Sequence, residues 1–147
     1  MNVTIIGSGK MGRAIGTRAV AGGHSVTFVS KTPEGAKKAA EEIRASATKG
    51  AQVSTANLAD VELGDVVVLA LWYGITMEVA KQLGAKLAGK VVVDIANPLN
   101  STYDGLVTAP DSSAAEDVAK AVASGVQVVK AFNTIFASTL LAGQVAG

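Results

Sequence analysis

The sequence predicts an α/β fold, a doubly wound parallel sheet with helices on both faces. Three observations carry that prediction. Short β-branched runs alternate with helical periods along the whole chain, with short connections between them. The run Asp65–Leu71 is apolar on both faces, as a strand covered by helices on two sides should be. Nearly half of the 147 residues are hydrophobic (49%) but only 4% are aromatic, which suits close helix-on-sheet packing by Ala, Val and Gly.

The first strand, Val3-Thr4-Ile5-Ile6, runs into Gly7, Gly9 and Gly12 at the G-x-G-x-x-G spacing. A helix with Met11, Ile15, Ala19 and Val20 on one face follows. Strand, glycines and helix in that order predict a dinucleotide-binding, Rossmann-type fold. Gly7 allows the tight turn, Gly9 lets the backbone approach a pyrophosphate, and Gly12 lets the helix pack closely. The bare amides at the helix start attract the anion.

Ala21–His24 stops this helix, and Ser25–Ser30 alternates as a second strand. Thr32 caps the next helix with Pro33 at its first position, and the helix is expected to reach about Ala47. Gln52–Thr55 reads as the third strand and Asp65–Leu71 as the fourth. Gly74–Leu87 reads as a helix with an apolar stripe of Ile75, Val79, Leu83 and Leu87. Lys90–Ile95 is the fifth strand, and a loop spans Leu99–Asp111. Ser113 and Glu116 suggest a capping box for a helix to about Ala123. Val126–Val129 is the sixth strand and Thr134–Ala142 a last helical segment. Residues 1–147 are expected to form one dinucleotide-binding domain.

Several function classes are disfavoured. A formal charge of +1 without single-sign runs argues against nucleic acid or an anionic membrane as partner. Without cysteine there are no disulfides and no thiolate chemistry. The longest apolar run, Val66–Tyr73, is too short for a bilayer, so a cytoplasmic protein is expected. No paired carboxylates suggest a metal. The one histidine, His24, lies at the edge of the sheet opposite to where ligands bind in such folds. The Tyr-x-x-x-Lys pair is absent, since Met77 follows Tyr73 and Val107 follows Tyr103 at that spacing. Asp94, inside the fifth strand, reads as a structural hydrogen-bond partner.

At the end of the second strand, where an acidic residue would select NAD, stand Ser30, Lys31 and Thr32. Two hydroxyls, an ammonium and a capped helix start suit a 2′-phosphate, so NADP(H) is the expected nucleotide. Glu34, in the first helical turn, complements the helix dipole. The other strand ends carry Leu71, Trp72 and Tyr73, then Ile95, Ala96, Asn97 and Pro98. Such an apolar and amide wall suits direct hydride transfer between stacked rings, with no catalytic side chain. Simple packing at a strand end is the other reading of Trp72.

The segments Ile5–Gly12, Val29–Pro33, Leu71–Tyr73, Asp94–Asn100 and Val129–Thr134 together resemble the NADP-dependent reductases of the deazaflavin coenzyme F420, over essentially the whole chain. The resemblance implies Ser8, Lys10 and Met11 at the pyrophosphate and Ser30 and Lys31 at the 2′-phosphate. It implies Leu71 and Trp72 near the nicotinamide, and Asn97 and Pro98 next to the deazaflavin. Relatives of this kind continue past the final helix, so a C-terminal extension is expected to be missing here. Two readings stand beside hydride transfer to F420: an NADP(H)-binding module without turnover, and an NADPH-dependent flavin or ferric reductase domain. The apolar Ile135, Phe136, Leu140, Leu141 and Val145 predict a homodimer.

Overall fold

A computed structural model describes residues 1–145; Ala146 and Gly147, the end of the expected domain, lie outside the described residues. Six parallel strands form one sheet: β1 (Asn2–Ile6), β2 (Ser25–Val29), β3 (Val53–Ala56), β4 (Val66–Leu69), β5 (Val91–Asp94) and β6 (Gln127–Lys130). Their spatial order is β3-β2-β1-β4-β5-β6, so the direction of winding reverses between β1 and β4. The register puts Ile6 level with Val29 on one side and Leu69 on the other, which gathers three strand ends at one point of the edge. That is the switch point where ligands bind in open α/β sheets.

The helices are α1 (Lys10–Ala21), α2 (Pro33–Arg44), α3 (Tyr73–Leu83), α4 (Ala114–Ala121) and α5 (Ala137–Ala142). Two apolar layers flank the sheet. On one face Ile5, Phe28 and Val68 pack with Ile15 and Val20 of α1, Ile43 of α2 and Leu140 of α5. On the other, Ile6, Val67 and Val92 meet Val79 and Leu83 of α3 and Val118 of α4. The doubly wound plan is therefore present, with helices on both faces.

Strand limits shift by one or two residues, and four helix ends differ from the sequence reading by two residues or more. Helix α2 stops at Arg44 rather than Ala47, because the chain turns so that both the amide and the hydroxyl of Thr48 donate to the Val20 carbonyl. Helix α3 ends at Leu83; Gly84 takes φ of 44°, and residues 84–87 continue as a 3-10 turn. Helix α4 ends at Ala121, where Val122 becomes extended. Helix α5 starts at Ala137, not Thr134, since Phe136 is extended at its N-cap. The Ile75 stripe also needs correcting: Ile75 is exposed and Thr76 takes its place on the buried face.

The C-terminal apolar residues divide. Leu140 packs on the first layer and Ile135 is half-buried, whereas Phe136 (82%) and Val145 (78%) stand in solvent with Leu141 beside them. Ser113 accepts from the Glu116 amide at 3.3 Å, the serine half of the capping box expected for α4.

Candidate functional site

The glycine loop is held by close backbone contacts. Gly7 has φ of 115°, and a Cβ there would sit 2.2 Å from the Ala70 carbonyl oxygen. A Cβ on Gly12 would lie 2.1 Å from the Gly7 carbonyl oxygen, so α1 can approach the loop only without a side chain at that position. Gly9 is the N-cap of α1 and has open space where its side chain would be. No side chain caps α1 and no acidic residue stands in its first turn, which leaves its N-terminal amides facing an approaching anion.

Beside this loop the end of β2 forms a hydroxyl cradle. Ser8 Oγ and Ser30 Oγ share a hydrogen bond of 2.8 Å, and Thr32 Oγ1 accepts from the Gly35 amide at 3.2 Å. Gly35 is the keystone. A Cβ on it would meet Ser30 Oγ at 2.9 Å, Thr32 Oγ1 at 3.1 Å and Ser8 Oγ at 3.2 Å. Three hydroxyls thus converge on Gly35, where a methyl group would crowd them apart. The side chains of Lys31 and Lys10 are exposed next to them, free to swing onto phosphate. Arg13, which sequence reasoning did not single out, stitches the region together. Its Nε donates to the Ser8 carbonyl at 2.8 Å, and its Nη1 to the Glu42 carboxylate of α2.

At β4 and β5 the expected wall divides. Leu71 lies against the glycine loop, with its Cδ2 3.2 Å from where a Gly7 Cβ would be. Trp72 is 69% exposed at the N-cap of α3, just after β4. Tyr73 is turned elsewhere: its hydroxyl donates to Asp117 of α4 at 2.7 Å. That bond, with burial, pushes the tyrosine up to about 12, while Ser112 and Tyr73 donating to Asp117 hold its carboxyl below the usual carboxylate range. Ala96 is buried rather than displayed, with its amide donating to Asp94 Oδ1 at 2.9 Å. Asp94 itself is fully buried and pairs with Lys130 Nζ at 2.7 Å; the same ammonium also donates to the Ala96 carbonyl. Asp94 is the structural partner expected of it, and Lys130 is a partner that no local pattern announced. The Pro98 carbonyl accepts from Val107 and so anchors the following loop.

Between α1, β5 and β6 opens a cavity of about 400 Å³. Of the expected residues it takes Met11, Ile95 and Asn97, joined by the stretch Phe132–Phe136. In the sequence reading Phe132, Asn133 and Thr134 have no role beyond the resemblance, and Ile135 and Phe136 are assigned to the dimer face. The sign available in sequence was the stretch's density of aromatic and amide side chains directly after a strand. Among the described residues no group of three or more His, Asp or Glu side chains is placed to hold a metal ion.

Residues 2–98 match the model of a family described as NADP oxidoreductase, coenzyme F420-dependent. The chain belongs to this family. An F420-dependent NADP reductase of Methanocaldococcus jannaschii is 35% identical over 109 residues, which are 71% of this chain and 48% of that protein. Among solved structures, a hypothetical protein from Sinorhizobium meliloti superposes with a TM-score of 0.80 at 27% identity. The match takes in 96% of this chain and 65% of that one. A candidate F420-dependent NADP-reductase from Arthrobacter sp. fb24 gives 0.72 at 28% identity, over 93% and 64% of the two chains. The chain thus spans about half the length of the curated relative and about two thirds of these two structures. For this F420-dependent NADP oxidoreductase family member, the open space beside Gly9, the uncapped α1 and the neighbouring hydroxyls are a donor set whose chemistry suits a phosphorylated dinucleotide.

Proposed function

We propose that residues 1–147 form the dinucleotide-binding domain of an NADP(H)-dependent oxidoreductase that exchanges a hydride between nicotinamide and coenzyme F420. The observation that carries the reading is the Ser8–Ser30–Thr32 cradle around Gly35, with Lys31 at its rim and no carboxylate at the end of β2. A hydrogen bond to a charged group contributes about 1.5–3 kcal/mol, and every ~1.4 kcal/mol is tenfold in affinity. Two such bonds support at least a tenfold preference for NADPH over NADH.

In this reading the pyrophosphate lies on the amides of α1, and the nicotinamide lies over the switch point near Leu71 and Trp72. The second ring occupies the cavity beside Met11 and Asn97. Asp94 and Lys130 neutralise each other and His24 is remote, so the protein's part is to align two rings and exclude water rather than to move a proton. The family match favours F420 over a flavin or ferric acceptor and over a binding module without turnover. The proposed partners are dissolved cofactors, which suits the cytoplasm; among the described residues no helix is long and apolar enough to cross a membrane.

The exposed Phe136, Leu141 and Val145 support a homodimer. Light scattering over a concentration series tests it, and a monomer at high micromolar concentration would remove the dimer. The enzymatic reading is tested by titrating the protein with NADPH, NADH and oxidised F420 while both chromophores are followed. NADPH should bind at least tenfold more tightly than NADH, and deuterium from the nicotinamide should reach F420 without exchange into water. Equal affinities, or loss of the label to solvent, would sink it.

A further inference from the structure

We propose that Phe132 is the ring-stacking wall of the cavity, and that the Asn97–Asn133 amide pair is the device that holds it there. The inference rests on the hydride-transfer reading and deepens it by naming the surface that receives the second ring. Phe132 has φ of 62°, left-handed backbone that a bulky residue adopts only where its surroundings over-determine it.

The surroundings do so from both sides. Asn97 Nδ2 donates to the Asn133 carbonyl at 3.2 Å, and Asn133 Nδ2 donates back to Asn97 Oδ1 at 3.3 Å. Two residues before Phe132, Lys130 is pinned to the buried Asp94 and to the Ala96 carbonyl. Chain segments after β5 and β6 are therefore clamped to each other, and the residue between the clamps bears the strain. Phe132 remains 37% exposed at the wall of the cavity, which Met11 and Ile95 also line.

A cavity of about 400 Å³ is within the range of small-molecule sites, and an aromatic face on an apolar wall suits a planar heteroaromatic ring. On the hydride-transfer reading the ligand class is a flavin-type ring system, deazaflavin or flavin. Backbone strain kept beside such a cavity is the pattern expected of a ligand clamp.

The test compares Phe132→Ala with Phe132→Gly, which both remove the ring but differ at Cβ. Equilibrium titrations use oxidised F420 and, separately, FMN, with NADPH binding followed by its own fluorescence. Both variants should bind the ring ligand at least tenfold more weakly and NADPH within twofold of wild type. The glycine variant should melt a few degrees above the alanine variant, the reverse of the usual order, because glycine accepts φ of 62° without strain. Asn133→Ala should weaken the same ligand in the wild-type background but add nothing once Phe132 is alanine, the coupling expected of a positioning residue.

Wild-type affinity for the ring in both Phe132 variants would overturn the inference and leave the hydride reading standing. Binding of FMN but not F420, lost in both variants, would support the wall and overturn the deazaflavin reading. A wild-type protein that binds neither ring would overturn both.

Discussion

The two ends of the carboxyl edge are built differently. At the β2 end the parts interlock: glycines sit against backbone carbonyls, and three hydroxyls close around Gly35. At the β5–β6 end the parts are bridged across long sequence distances, with Asp94 to Lys130 and Asn97 to Asn133 framing an open cavity. The first arrangement suits an invariant fragment, a phosphate, that must be seated in one pose. The second suits a large flat ring that must enter and leave. If the contrast holds, substitutions at the two ends should fail in different ways.

The largest effect is expected from Gly12→Ala. A methyl group 2.1 Å from the Gly7 carbonyl oxygen cannot be absorbed by a flexible side chain, so either α1 or the loop must move. We expect a loss of ~3 kcal/mol in denaturant unfolding, together with loss of all dinucleotide binding. Unchanged NADPH affinity would show that the loop is less tightly determined than its geometry indicates.

Next is Lys130→Met. It strands the fully buried Asp94 carboxylate and frees the Ala96 carbonyl, with an expected cost of about 3 kcal/mol. Here binding should separate: NADPH affinity changes little while F420 affinity falls, since only the β5–β6 end is disturbed. Equal losses of both ligands would break the comparison. Gly35→Ala is the counterpart at the other end. It should weaken NADPH at least tenfold through the three crowded hydroxyls, with NADH and thermal stability nearly unchanged. A proportional loss of NADH would mean that the cradle does not read the 2′-phosphate.

The same contrast explains what could be read from sequence. The six strands, their order of appearance and the glycine loop are local patterns, readable as periodicity and as spacing within a dozen residues. So is the β2 end, because Ser30, Lys31 and Thr32 are neighbours. The β5–β6 end resisted. Lys130 lies 36 residues from Asp94, and Asn133 lies 36 from Asn97, so nothing in either local stretch announces the other. Ile75 failed for another reason: a four-residue stripe drifts around a helix, and the buried face settled one position further on, at Thr76. The start of α5 was misplaced because residues 134–136 line a cavity instead of continuing a helix.

The smallest effect concerns Tyr73, the wall residue whose hydroxyl is turned away from the edge. Its hydroxyl donates to Asp117, and Asp117 also accepts from Ser112 at 2.7 Å, so the link fastens the start of α3 to α4. Tyr73→Phe should lower Tm by about 2 °C at pH 7 without altering the NADPH to NADH ratio. The pH dependence follows from the two shifts. Asp117 is held below its ordinary value of 3.8, so its contribution is present above that value and is lost as pH falls through the lowered one. Tyr73 is raised from 10.0 to about 12, so its contribution is present below pH 10 and is lost as pH rises toward 12. The difference in Tm between wild type and Tyr73→Phe should therefore be flat from about pH 5 to 9 and shrink at both extremes. A difference that persists once Asp117 is protonated would mean that the hydroxyl stabilises α3 through packing alone. A collapse in hydride transfer with the fold intact would instead return Tyr73 to the edge, beside Trp72.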